Sequence, residues 1–375
     1  MKEKVVVGMS GGVDSSVAAY LLKEQGYEVI GVTMQVWQEQ DALTAGQEGG
    51  CCGLSAVEDA RRVAAQLGIP YYVMNFRREF QENVIDYFVK EYQCGRTPNP
   101  CIACNRYVKW ESLLQRSLKI GADYIATGHY AQKVRLSNGR YTLRRSASVK
   151  KDQTYALYNL TQDQLRHTLF PVGAYSKEQV RETARRIGLD VAHKPDSQEI
   201  CFVPDQDYAG FICRETGVRE QPGSFVAKDG TVLGEHKGIS HYTIGQRKGL
   251  GIALGKPMFV TEIRTGTNEV VLGENEDLMT LDLTADHMNY MAVPRLEAGQ
   301  QIMAKIRYSH AGEQCKAAAV SEDGSCIRLR FEKPVRAGTP GQAVVLYEGD
   351  YVLAGGTITD NLDILCIKQR NTSNI

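Results

Sequence analysis

The sequence has no excess of charge, since 44 basic residues face 44 acidic ones over 375 positions. Bulk charge therefore argues for no nucleic-acid partner, and any such partner would have to be drawn by local patches. There is no apolar stretch approaching the length of a membrane span, and the first residues run into Val5-Val6-Val7 without an apolar signal core. A cytoplasmic protein with no membrane contact is expected. Internal repeats and low-complexity tracts are also lacking, which leaves an ordinary globular chain of two or three domains. No second Cys-x-x-Cys accompanies Cys101-x-x-Cys104, so the strong four-cysteine zinc spacing is missing. No Gly-Lys-Ser/Thr follows the glycine-rich turn near the start, and no GxGxxG occurs there, so neither the Walker nor the dinucleotide loop applies.

What stands in that place is Gly8-Met9-Ser10-Gly11-Gly12-Val13-Asp14-Ser15-Ser16. The apolar run before Gly8 reads as an interior strand, and Val13, Ala18, Ala19, Leu21 and Leu22 lay apolar side chains along one helical face. Gly8, Gly11 and Gly12 permit turns and close approaches that a side chain would block. Ser10, Ser15 and Ser16 add hydroxyls beside unpaired helix-start N–H groups. A phosphate cradle is predicted, with Asp14 organising Mg²⁺ and pyrophosphate or capping the helix. Residues 28–34 form a second predicted strand, with Met34 at its carboxyl end, where open parallel sheets bind ligands. Further strands at 71–76 and 124–129 alternate with helices at 57–67, 82–92, 108–118, 161–169 and 176–187, the last behind a Ser176/Gln179 capping box. This predicts a doubly wound parallel α/β sheet over 1–205. Glycine-rich, strand-like texture then predicts a small mainly-β central domain over 206–281 and a C-terminal β-barrel over 282–375.

Ten cysteines in such a chain read as thiols, metal ligands or catalytic groups rather than a disulfide framework. Pro98 and Pro100 are expected to hold the backbone away from a helix and expose Cys101 and Cys104. Cys201 lies in Asp196-Ser197-Gln198-Glu199-Ile200-Cys201-Phe202. Three readings compete for these thiols: zinc lacking a fourth ligand, a three-cysteine iron–sulfur site with an open position, and a sulfur-transfer pair. Cys51 and Cys52 read as loop thiols, Cys213, Cys315, Cys326 and Cys366 as small core hydrophobes, and Cys94 as ambiguous. Between Lys133 and Lys151 there are seven basic residues and no acidic one around an Asn138-Gly139 turn. This basic hairpin would suit RNA phosphates, or simply a solvated face.

The glycine loop resembles the SGGxDS loop of the ATP pyrophosphatases, the PP-loop type. Together with Gly95-Arg96-Thr97-Pro98-Asn99-Pro100, Cys104-Asn105, Thr127-Gly128-His129-Tyr130, Lys151-Asp152-Gln153-Thr154-Tyr155, the Cys201 segment and His241-Tyr242-Thr243-Ile244-Gly245-Gln246-Arg247, it makes the chain similar over nearly its full length to the tRNA-specific 2-thiouridylases. The resemblance implies ATP and Mg²⁺ at Gly8 to Ser15, Met34 and Gly128. It implies a nucleophile at Cys104 and a persulfide at Cys201, paired as a disulfide on the hydrosulfide route, and target-base contact at Asn99, Pro100 and Cys101. Contacts with tRNA are implied at His129, Lys151, Asp152, Gln153, Arg307, Tyr308 and Gln342. The substrate would be the wobble uridine of glutamate, glutamine and lysine tRNAs, and the sulfur donor a cysteine desulfurase or a sulfur-relay carrier. Cys101 stands where some members carry aspartate, which favours a [4Fe–4S] cluster on Cys101, Cys104 and Cys201 as the alternative to a persulfide. Another PP-loop ligase would leave the cysteines and the hairpin unexplained, and a purely RNA-binding or metal-sensing module would leave the ATP loop idle.

Overall fold

The computed structural model describes residues 2–36, 54–194 and 200–360. Cys51, Cys52, Cys366 and residues 195–199 of the Cys201 segment lie outside them. The described chain forms two compact units. One comprises Met1–Ile85, Pro100–Gln206 and Asp350–Val352, and the other Asp86–Asn99, Asp207–Gly349 and the residues from Leu353 on.

In the first unit, β1 (Lys4–Gly8), β2 (Glu28–Gln35), β3 (Tyr71–Asn75), β4 (Tyr124–Thr127) and β7 (Thr168–Leu169) make a parallel sheet in the order β3-β2-β1-β4-β7. β1 is central because Val5, Val6 and Val7 are apolar on both faces, and all three are 0% exposed. Burial of each such side chain contributes about 1.5–3 kcal/mol. Helix α1 (Val13–Glu24) covers the sheet with Val17, Ala18, Ala19 and Leu22, and it packs against the helix Lys177–Arg186. Ser176 and Gln179 form the expected capping box at the start of that helix, and Thr161 and Gln164 form a second one at Gln162–Arg166. The basic hairpin is present as β5 (Ala131–Arg135) and β6 (Tyr141–Arg145), with Gly139 in the left-handed region at φ 82°.

Three helical segments depart from the expectation. The helix predicted at 161–169 ends at Arg166, and Thr168–Leu169 is the strand β7. The helix predicted at 82–92 begins earlier, with Arg77–Phe80 followed by a π-helical Gln81–Ile85. The segment around Cys101 and Cys104, predicted to be kept non-helical by its prolines, is helical from Pro100 to Lys119, through Pro100–Ala103, a π-helical Cys104–Leu113 and Leu114–Lys119. Pro100 occupies a first helical position, where its missing N–H has no partner to lose and its fixed φ suits the helix.

The second unit holds a four-stranded sheet and a closed barrel. β8 (Gly223–Ala227), β9 (Val232–His236), β10 (Phe259–Arg264) and β11 (Glu269–Gly273) run in the order β10-β11-β8-β9 over a core of Phe225, Tyr242, Val260, Val270 and Leu272. β12 (Met279–Tyr290), β13 (Gln301–Lys305), β14 (Glu313–Val320), β15 (Ile327–Arg336), β16 (Ala343–Glu348) and β17 (Tyr351–Thr359) run in the order β12-β15-β14-β13-β16-β17. The β12–β17 pairing, Thr284 opposite Thr359, closes the barrel. Cys315 is buried among these strands, and burial pushes its thiol up to about 12, as suits a core residue. No helix among the described residues is long and apolar enough to cross a membrane.

Candidate active site

The loop between β1 and α1 is built by backbone approaches that tolerate no side chain. Gly11 sits at φ +66°, and a Cβ on it would lie 2.4 Å from the Ala56 carbonyl oxygen. Gly128, just past β4, would bring a Cβ to 2.5 Å from the Ser15 nitrogen. Met9 is tied to β2 from both sides, its N–H donating to Val32 O at 2.8 Å and its carbonyl accepting from Thr33 Oγ1 at 2.7 Å. Met34 follows on the same strand, half-buried. Ser15 Oγ accepts from the Ser10 N–H at 3.2 Å and donates to Gly12 O at 3.2 Å. The N-cap is Gly12, which offers no side-chain cap. The first N–H groups of α1 therefore face the loop without a side-chain acceptor, the usual construction of an anion site.

Two lysines that the sequence reading did not single out stand beside this cradle. Lys177, 7% exposed, donates to both carboxylate oxygens of Asp14 at 2.9 and 2.8 Å, and the Tyr130 hydroxyl donates to the same carboxylate at 2.7 Å. Lys194 donates to Asp59 at 2.6 Å, with the Gly11 carbonyl at 3.5 Å. Burial raises the Asp59 pKa, but Lys194 and Arg62 outweigh it and hold the carboxyl below its ordinary value. Lys177 follows a capping serine in the sequence, a pattern that marks a helix start but not an ion pair 163 positions away.

The helix carrying Cys104 meets this region through side chains. Asn105 Nδ2 donates to Ala156 O at 3.0 Å, and its Oδ1 accepts from Lys109 Nζ at 2.8 Å. Lys109 Nζ also lies 3.5 Å from His129 Nε2, and His129 Nδ1 lies 2.7 Å from Thr127 Oγ1. Lysine only donates, so Nε2 accepts and the Nδ1–H turns to Thr127. The i, i+4 spacing of Asn105 and Lys109 was the available signal for this pair. His129 is half-buried by surface area, and Trp110 and Phe170 pack around its ring, with centroids 5.6 and 6.4 Å away. Burial, and then the Lys109 charge, push its pKa well below 6.5. The unfolded chain binds this proton more readily, so the stability that neutral His129 contributes is intact above about pH 6.5 and is lost progressively as pH falls below it. His236 and His310 are also lowered, chiefly by burial, and act with the same sign. Denaturant unfolding between pH 5 and 8 should therefore show wild type losing more stability below pH 6.5 than His129→Gln. Parallel losses would mean that His129 is protonated in the folded protein.

The other residues singled out in the sequence are placed as follows. Gln153 Oε1 accepts the Tyr130 N–H at 2.9 Å, and Asp152 accepts from Ser146 N and Thr154 Oγ1 at 3.0 and 2.7 Å, so both brace the segment after the hairpin beside half-buried Lys151. Cys101 is exposed, while Cys104 and Cys201 are half-buried. The Arg77–Phe80 helix packs on the π-helical stretch that begins at Cys104, and Phe80 stacks edge-on against Phe202 with centroids 5.9 Å apart. Among the described residues, no three His, Cys, Asp or Glu side chains come together to hold a metal. Cys101, Cys104 and Cys201 thus do not present the ligand set of an iron–sulfur cluster in this arrangement. In the second unit, Arg307 donates to Arg336 O at 2.8 Å and Tyr308 is 47% exposed. Asn99 is half-buried, and the side-chain amide of Gln342 donates to the carbonyls of Thr97 and Pro98.

Residues 3–205 match a family described as tRNA methyl transferase HUP domain, 209–274 a tRNA methyl transferase PRC-barrel domain, and 280–358 an aminomethyltransferase beta-barrel domain. The chain is 68% identical over 95% of its length to tRNA-specific 2-thiouridylase MnmA of Lachnoclostridium phytofermentans, of which it covers 99%. It is 58% identical to the MnmA of Clostridium perfringens strain 13, covering 95% of this chain and 98% of that one. To the MnmA of Clostridioides difficile it is 55% identical, covering 96% and 99%. With a PP-loop-type parallel α/β unit ahead of a small β sheet and a closed six-stranded barrel, and with relatives this similar along nearly its whole length, the chain belongs to the tRNA-specific 2-thiouridylase family.

Proposed function

We propose that this chain is a tRNA sulfurtransferase that replaces the C2 oxygen of the wobble uridine by sulfur at the expense of ATP. One observation carries the reading. The anion cradle at Ser10–Ser15, which Gly128 approaches closely, and the helix that carries Cys104 lie in one unit, where Asn105, Lys109, His129 and Thr127 form a line of contacts ending at the residue before Gly128, in a chain of this family. A uracil C2 oxygen is a poor leaving group. Its attack on the α-phosphate of ATP, which arrives with its Mg²⁺, releases pyrophosphate and leaves an AMP ester that departs readily. The α1 N–H groups, Lys177 and Lys194 would hold the phosphates. The sulfur arrives as a persulfide on Cys201, loaded by a cysteine desulfurase or a relay carrier. Its outer sulfur attacks C2 and expels AMP, and the Cys104 thiolate then attacks Cys201 Sγ, releasing the thiocarbonyl. Alternatively, Cys104 attacks first and frees hydrosulfide, which attacks C2. Both routes end with a Cys104–Cys201 disulfide, which an external dithiol must reduce before the next turnover.

We assign adenylation and thiolation to residues 1–205, and tRNA holding to 206–281 and 282–375 with the basic hairpin. Asn99, Pro100 and Cys101 contact the flipped base, and His129, Lys151, Arg307 and Tyr308 contact the surrounding tRNA. Glutamate, glutamine and lysine tRNAs are the expected substrates, in the cytoplasm. The test is incubation of iron-free protein with such a tRNA, ATP and a persulfide source, followed by nucleoside mass spectrometry. The expected result is 2-thiouridine with matching AMP and pyrophosphate. Product only after cluster reconstitution would overturn the persulfide reading, and AMP without thiolated nucleoside would overturn the substrate.

A further inference from the structure

The backbone that precedes the cysteine helix cannot hold itself. In Thr97-Pro98-Asn99-Pro100 two of four residues lack an N–H, so the stretch has few donors with which to pair its own backbone. Its partners come from the loop between β15 and β16. The Thr97 N–H donates to Pro340 O at 2.9 Å, and Gln342 Nε2 donates to Thr97 O at 2.8 Å and to Pro98 O at 3.4 Å. That loop is rigidly mounted. Gly341 N–H donates to Ile358 O at 2.9 Å, Ile358 N–H donates to Gln342 O at 2.8 Å, and Gln342 N–H donates to Thr339 O at 3.1 Å, which ties the turn to the closing strand β17. The fit is also steric, because Gly341 has φ +87° and a Cβ on it would lie 3.0 Å from Thr97 O and 3.1 Å from Thr97 C. On the other side, a Cβ on Gly95 would lie 3.0 Å from Ile263 Cγ2, while Arg96 donates to Glu91 at 2.8 and 2.5 Å.

We propose that Gln342 and Gly341 are positioning residues: the barrel clamps the Thr97-Pro98 backbone and so fixes Asn99 for the target base. The side-chain amide of Gln342 donates to this protein's own carbonyls. The inference rests on Asn99 as the base contact. In terms of recognition, a stretch rich in proline and poor in donors is held from outside, so its shape exists before tRNA arrives.

Hydrogen exchange of the tRNA-free protein tests the clamp without using activity. Gln342→Met keeps side-chain length and removes the donor, and Gly341→Ala wedges the loop from the same side. Both are expected to raise amide exchange at residues 95–99 on the order of tenfold, with the other peptides of the second unit unchanged. Gln342→Lys, which retains a donor, should restore protection. In turnover, Gln342→Met should lower kcat on the order of 10–100-fold and leave the Kd for tRNA within about threefold. Unchanged exchange at 95–99 with a weakened Kd would make Gln342 a direct RNA contact and overturn the proposal, and exchange raised throughout the unit would reduce it to barrel stability. If wild type forms no 2-thiouridine while the exchange result stands, the assigned reaction fails and the clamp does not.

Discussion

Cys104→Ser and Cys201→Ser are each expected to lose 2-thiouridine formation by on the order of 10³-fold or more, as removal of a covalent nucleophile does elsewhere. The two should fail differently. Cys201→Ser should take up no sulfur from the persulfide donor. Without tRNA, Cys104→Ser should gain the mass of one sulfur on the Cys201 peptide and keep it, because a serine hydroxyl does not open a persulfide; with tRNA and ATP it should keep that sulfur on the hydrosulfide route or hold the tRNA through it on the direct route. Both variants should still release pyrophosphate when tRNA and ATP are present, since the cradle around Ser10 and Gly128 involves neither thiol. Intact-protein and peptide mass spectrometry beside nucleoside analysis reads all three steps. Thiolation at the wild-type rate by Cys201→Ser would remove the persulfide from that residue.

Gly128→Ala should give the complementary loss. Its Cβ would lie 2.5 Å from Ser15 N, 2.6 Å from Asp14 C and 2.9 Å from Asp14 Cβ, so either β4 or the start of α1 must move. Overpacking of this kind costs about 1–3 kcal/mol in stability. A displacement near 1 Å at a phosphate site costs on the order of 100-fold in rate. Pyrophosphate release should therefore fall by about that factor, while sulfur loading of Cys201 stays intact. Gly266→Ala, where an added Cβ meets nothing within 4 Å, serves as the control. Normal pyrophosphate release by Gly128→Ala would show that the cradle tolerates a wider gap than the backbone suggests.

The parts of this site that were legible in the sequence are those whose chemistry is local. Gly8 to Ser16 announces a turn because glycine and serine have few other reasons to alternate between a buried strand and a helix. The Ser176 capping box is equally local, and it formed. What was illegible depends on partners far away in sequence. Nothing around Lys177 points to Asp14, nor around Lys109 to His129 twenty positions on. Pro100 misled for a different reason. A proline that breaks a helix from inside begins one when it stands first, and the four letters before Cys104 do not say which. Gln342 was legible as a residue of interest in a glycine turn, but its hydrogen-bond partners lie 245 and 244 positions away.

That separation also sets an order in time. Thr97 leaves the ribosome long before Gln342 is made, and at about 5–20 residues per second the gap is on the order of ten to fifty seconds. The barrel cannot close until β17 is available to pair with β12, so the clamp waits for β17 to be made. Through that interval the Thr97-Pro98 stretch has no donors to hold its carbonyls. On the clamp proposed above, Asn99 would therefore be set only after β17 has been made, and a ribosome that stalls before β17 would yield a fragment in which it has not been.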